Sequence, residues 1–212
     1  MLERFANLKK IPDEPARRIL AARATKLETK LDAPANASVE TVLSELAEKE
    51  AWVDILRLFS VALPPREAVW WACVAGHDII KDETTPCLKA SEAWVFEPND
   101  KNREQVQIAL DAVDMDDDTA LVATAALYAP GNMGTGDMAE HPAPPAAVAA
   151  CVFGINIKTL GLAEDMMLQM HWVIDRAADI ARGGNGKVAV PDVDTSPKPV
   201  TENDTAQQSE DV

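Results

Sequence analysis

LPPREAVWWACVAGHDII, residues Leu63 to Ile80, carries two of the chain's five tryptophans side by side, Trp70 and Trp71. Pro64 and Pro65 end whatever helix precedes them and preset φ for the first turn of the next. Glu67 in that first turn suits the positive end of the helix dipole. Two apolar rows follow at helical spacing: Val69, Cys73, Gly76 and Ile80 on one, and Ala68, Trp71 or Ala72, Ala75 and Ile79 on the other. A helix apolar on most of its sides belongs in a core. Each indole removes about 150–250 Å² from water when buried, so this helix is expected to dominate the folding energy.

Working outward, Trp52, Ile55, Phe59 and Ala62 recur at spacings of three, four and three. They predict an amphipathic helix from about Ala51 to Leu63, lying on the tryptophan helix, with the break at Pro64–Pro65 making the two a hairpin. The segments AWVDILRLF and ALPPREAVWWAC, taken together, resemble a family of uncharacterised small helical bacterial proteins. Some of these are associated with type VI secretion gene neighbourhoods. The resemblance covers Trp52 to about Cys73. It implies a helical fold and an accessory role beside a secretion apparatus, and it brings no catalytic residues with it.

The remaining elements are punctuated by proline. Residues 1–11 read as a flexible lead-in. Pro12 or Pro15 opens a helix to about Leu31, with Ala16, Leu20, Ala24, Leu27 and Leu31 on one face and Arg17, Arg18, Arg23, Lys26 and Lys30 on the other. Asp32–Ala37 is a linker, and Ser38 is an N-cap for a helix to about Lys49. Further helices are expected from Pro86 to before Pro98, from Lys101 to Val113, and from Thr119 to Tyr128. Pro130–Pro145, PGNMGTGDMAEHPAPP, excludes regular structure and is a candidate mobile or functional loop. Helix resumes from Ala146 to Phe153, with Gly154 interrupting, and a last helix runs from Thr159 to Arg182 before Gly183-Gly184. From Asn185 the chain is polar, proline-containing and acidic, which predicts disorder to Val212.

Composition narrows the function. Of 212 residues, 47% are hydrophobic but only 5% aromatic, which favours closely packed helices over sheet. The formal net charge of −15 repels phosphate backbones and anionic membranes, so neither nucleic-acid binding nor membrane insertion is expected. Residues 1–31 oppose that trend, with eight basic and four acidic residues. Cys73, Cys87 and Cys151 form no CxxC pair, and MLERFANLKK has no apolar signal segment, so a reducing, cytoplasmic location is expected.

Motifs that suggest chemistry fail on geometry. DMDDDT, Asp114–Thr119, places acids as a calcium loop would, but Thr119 stands where that loop needs glycine and Ala125 where it needs an acid. GNMGTG lacks both the spacing and the following Lys-Ser/Thr of a phosphate cradle. Cys73 and His77, four apart, would share a helix face as nucleophile and base but have no evident orienting group. His171 and Asp175 have the same spacing.

The sequence therefore predicts an all-α protein: a compact domain over 12–184, built from proline-punctuated helical hairpins, with a disordered acidic tail over 185–212. The expected function is non-enzymatic, binding a protein partner through a basic face of Arg17, Arg18 and Arg23, with no cofactor and no metal. The alternative is a small-ligand or effector pocket formed by Trp70, Trp71, His77 and His141, with the Pro130–Pro145 loop as its lid.

Overall fold

The computed structural model describes residues 2–81, 84–114 and 116–190. Among these, a short 3-10 helix, Leu2–Phe5, precedes nine α-helices: α1 (Ala16–Ala22), α2 (Val39–Glu48), α3 (Trp52–Ala62), α4 (Pro65–Ile80), α5 (Pro86–Phe96), α6 (Asp100–Asp111), α7 (Ala120–Tyr128), α8 (Ala147–Leu162) and α9 (Met166–Arg182). A second 3-10 turn, Gly136–Glu140, lies between α7 and α8. Only two isolated antiparallel bridges, Pro15 with Ser38 and Asn132 with Pro142, depart from helix and loop among the described residues. The all-α expectation holds.

The helix starts follow local chemistry. Ser38, Thr85, Asn99 and Asp165 each accept a backbone N–H of the helix they open. Gly183, at φ 104°, closes α9 in the left-handed conformation that a side chain disfavours. Gly76 faces α5 so closely that an added Cβ would lie 3.1 Å from Leu88 Cδ1.

α8 is the pivot of the packing, meeting α3, α4, α7 and α9. Trp71 on α4 is fully buried (0% exposed), with Phe59 of α3 edge-on at 6.3 Å between ring centroids. The core helix predicted from the tryptophan pair is thus correct.

Four expectations are overturned. First, the lead-in expected to be loose is docked over its described residues, 2–11. Phe5 (1% exposed) and Leu8 enter the core, Lys10 N–H donates to Ala181 O, and Leu8 N–H donates to Glu40. Two apolar side chains three apart were enough to anchor a segment whose charges suggested solvent. Second, α1 stops at Ala22. Thr25 N–H returns to Leu20 O, and Ala24 adopts φ 49°. Beyond it, Asp54 of α3 accepts the N–H groups of Glu28 and Thr29, and Glu45 of α2 accepts those of Asp32 and Ala33. Carboxylates from distant helices satisfy amides that would otherwise have continued the helix.

Third, Gly154 does not interrupt α8, which is held along its length by α4 and α7, whereas Asp165 starts a separate α9. Fourth, α3 and α4 make few contacts with each other. The close consecutive pairs are instead α5 with α6 and α7 with α8, while α4 lies chiefly against α8.

The expected tail also begins too early. Trp70 Nε1–H donates to Asn185 O at 2.9 Å, Asp179 accepts Gly186 N–H, and Trp172 Nε1–H donates to Val188 O at 3.1 Å. Residues 185–188 therefore lie along the body. The expectation for 191–212 falls outside the described residues.

Candidate interaction surface

Positive charge is placed on the surface by α1, which presents Arg17 and Arg18 to solvent. The three arginines do not form one face. Arg18 pairs with Glu14 at 3.3 Å, and Arg23 turns into a narrow crevice with Ser60, Val61, Leu63 and Pro65. Arg17 stands beside a larger groove, with a cavity volume of about 750 Å³, between α1 and the irregular chain of residues 24–37.

The groove exists because α1 stops early. Leu27 and Leu31, freed from a helix, fold toward Leu20 and Val42 and form an apolar floor with several alanines. Lys26 joins Arg17 at the edge. The outer wall is fixed by the buried Asp54 carboxylate, which receives Thr29 N–H at 2.7 Å, Glu28 N–H at 3.2 Å and Arg57 Nη1 at 2.5 Å. Burial alone would raise the Asp54 pKa, but these hydrogen bonds and the Arg57 charge outweigh it and hold the carboxyl below its ordinary value. Glu45 is likewise held low, its burial outweighed by Lys49 and by the amides of Asp32 and Ala33. Leu27, Leu31 and Asp54 were missed as site residues because their helical spacing hides a wall built by tertiary contacts, whereas Lys26 was read as part of a helical basic face rather than of a groove edge. The one local signal was Asp54, a carboxylate three residues before Arg57 in a helix whose other residues are largely apolar.

The alternative pocket does not assemble. Trp71 is sealed in the core, His77 is exposed and bonded to Glu92 at 2.7 Å, and His141 is exposed on the loop after α7. Trp70 borders a cavity of about 210 Å³ with Phe96, Arg66, Glu67 and Lys10, and the lining of that cavity includes none of Trp71, His77 and His141. Cys73 lies fully buried, and burial, with a smaller effect of Glu92, pushes its thiol well up, the opposite of what a thiolate nucleophile needs. His77 is engaged by Glu92 rather than by Cys73.

The loop between α7 and α8 is tied at its neck. Arg103 of α6 (4% exposed) donates to Leu127 O through Nε at 2.8 Å and Nη2 at 2.6 Å. It also reaches the backbone and side-chain oxygens of Asn132. Burial lowers the Arg103 pKa. A buried guanidinium bonded only to neutral oxygens anchors this loop, which argues against a lid hinged there.

A third cluster ties the N-terminus to α9. Arg4 donates to Asp175 at 2.7 Å and to His171 O at 2.9 Å, and lies 3.2 Å from His171 Nδ1. The His171 ring meets Trp52 edge-on at 4.5 Å. Burial first, and then the Arg4 charge, lower its pKa. A neutral ring accepting at Nδ1 fits this arrangement.

Among the described residues no three His, Cys, Asp or Glu side chains converge to hold a metal, and no helix is long and apolar enough to cross a membrane.

The architecture defines a helical domain with a central α8 and an N-terminal segment folded against α2, α3 and α9. The chain belongs to a family described as a family of unknown function (DUF6931), whose match spans residues 42–181. Neither the curated proteins nor the solved structures give a match. The groove's principal residues, Arg17 to Ala37, precede the matched region.

Proposed function

We propose that this protein is a non-enzymatic, cytoplasmic interaction module that binds a protein partner through its basic N-terminal face. The observation that carries the reading is the fixed placement of α1. Phe5, Leu8, Ile19 and Leu20 are buried, so the basic segment is part of the folded body while Arg17 and Arg18 stay in solvent. A net +4 segment held on a chain of net −15 can orient an approaching charged partner, with an association rate that falls as salt rises. Arginine is also enriched at interface cores.

The link to a secretion apparatus, implied by the LPPREAVWWAC motif, belongs to this proposal. Its test is whether components of that apparatus co-purify. Replacing Arg17 and Arg18 by Glu should abolish capture of the native partner while leaving the circular dichroism spectrum unchanged. Undiminished capture would remove the basic face from consideration. Turnover of a small molecule by the purified protein would remove the non-enzymatic reading itself.

A further inference from the structure

Resting on the protein-binding reading, we infer that the groove between α1 and residues 24–37 receives an acidic amphipathic helix of a partner protein. The helix's apolar side meets Leu20, Leu27, Leu31 and Val42, and its flanking carboxylates meet Arg17 and Lys26.

The first argument is shape. A volume of about 750 Å³ accommodates several aliphatic side chains presented together. That is how a helix lays residues three and four apart into a groove. A small-molecule site of this size gathers a few polar groups toward one point. Here the polar side chains, Arg17, Thr25, Lys26 and Thr29, are spread along a lining that is otherwise largely aliphatic.

The second argument is charge. The carboxylates near the groove are already engaged: Asp54 and Glu28 with Arg57, and Asp32 and Glu45 with Lys49. Arg17 and Lys26 make no ion pair among the described residues. An apolar floor is thus bordered by uncompensated cations on a protein whose overall charge is −15. The ligand that complements it is apolar on one side and acidic at the edges. A nucleic acid or an extended anionic membrane matches the two cations but meets repulsion from the rest of the surface.

The test uses the full-length protein and a labelled synthetic helix with leucine at three–four spacing and glutamate on both flanks. A control peptide carries lysine in place of every glutamate. Fluorescence anisotropy should show saturable binding of the acidic peptide that weakens as salt rises, and no binding of the basic one. Arg17→Glu with Lys26→Glu should weaken the acidic peptide at least about tenfold and reduce its salt dependence. Leu31→Ser, checked for fold by circular dichroism, should weaken it independently of salt. Equal binding of both peptides, no binding of either, indifference to the charge reversal, or preference for anionic vesicles over the peptide would each overturn the inference. Should the native partner be captured and cross-link elsewhere, for example beside Trp70 and Phe96, the protein-binding reading stands and the groove assignment fails. Loss of every protein partner sinks both.

Discussion

Asp54→Asn is the substitution that most directly probes how the groove is built. The wild-type carboxylate holds two backbone N–H groups and the Arg57 guanidinium. Asparagine keeps one acceptor oxygen and turns an amide NH2 toward at least one of those donors. A hydrogen bond to a charged group contributes about 1.5–3 kcal/mol, against about 0.5–1.5 kcal/mol for a neutral one. One bond lost and the others weakened sum to about 2–4 kcal/mol. For a chain of this size, each kcal/mol corresponds to about 2–4 °C, so the melting temperature should fall by about 4–16 °C. Hydrogen exchange should localise the effect to the amides of Glu28 and Thr29, with the α8 amides slowed or quickened only as global stability dictates. Because the folded pKa of Asp54 lies below its ordinary value, its contribution is present at neutral pH. It is lost as the pH falls through that depressed value, in the region below about 4. The variant should therefore lose less stability on acidification than the wild type, with Glu45 supplying part of what remains. Unchanged exchange at Glu28 and Thr29 would refute the claim that Asp54 fixes the groove wall.

Trp71→Ala should cost about 3–5 kcal/mol, a large share of the roughly 5–15 kcal/mol typical of a domain. Trp71→Phe should cost far less, since it keeps an aromatic ring in the core and gives up only an indole N–H that is buried without a partner among the described residues; a loss as large as that of the Ala variant in chemical denaturation would show that the ring is not what packs there. Ending the chain after Gly184 rather than after Val190 should lower the melting temperature, because the Trp70 and Trp172 indoles lose their carbonyl acceptors; identical melting of the two truncations would contradict the docking of 185–188. His171, with its pKa below the ordinary 6.5, binds fewer protons folded than unfolded, so stability should decline as the pH drops through and below that value. His171→Asn, which keeps an acceptor for Arg4, should flatten this decline between about pH 7 and 5, and an unaltered slope would assign it to other groups.

Periodicity and proline placement determined the all-helical class, the buried role of Trp71, and the starts of α2, α5 and α6. These depend on interactions within a few residues: an apolar stripe every three or four positions, a proline at the first turn, a side-chain oxygen capping an amide. Other features were not legible because their causes are distant in sequence. The pattern Ala16, Leu20, Ala24, Leu27, Leu31 is a sound helical stripe, yet the helix ends at Ala22. Beyond it, Asp54 and Glu45 take amides 25 and 12 residues away at the closest. Phe5 and Leu8 looked unremarkable until α9 offered Ala181 O and Asp175 to hold their segment. The proposed pocket failed for the same reason in reverse. His77 shares a helix with Trp71 but points to Glu92, and His141 stays exposed on a loop whose neck is tied by Arg103. Local sequence sets which backbone states are favourable, by a kcal/mol or so per residue. Hydrogen bonds to buried charged groups, each of similar or larger size, decide among them only once the tertiary fold has brought donor and acceptor together.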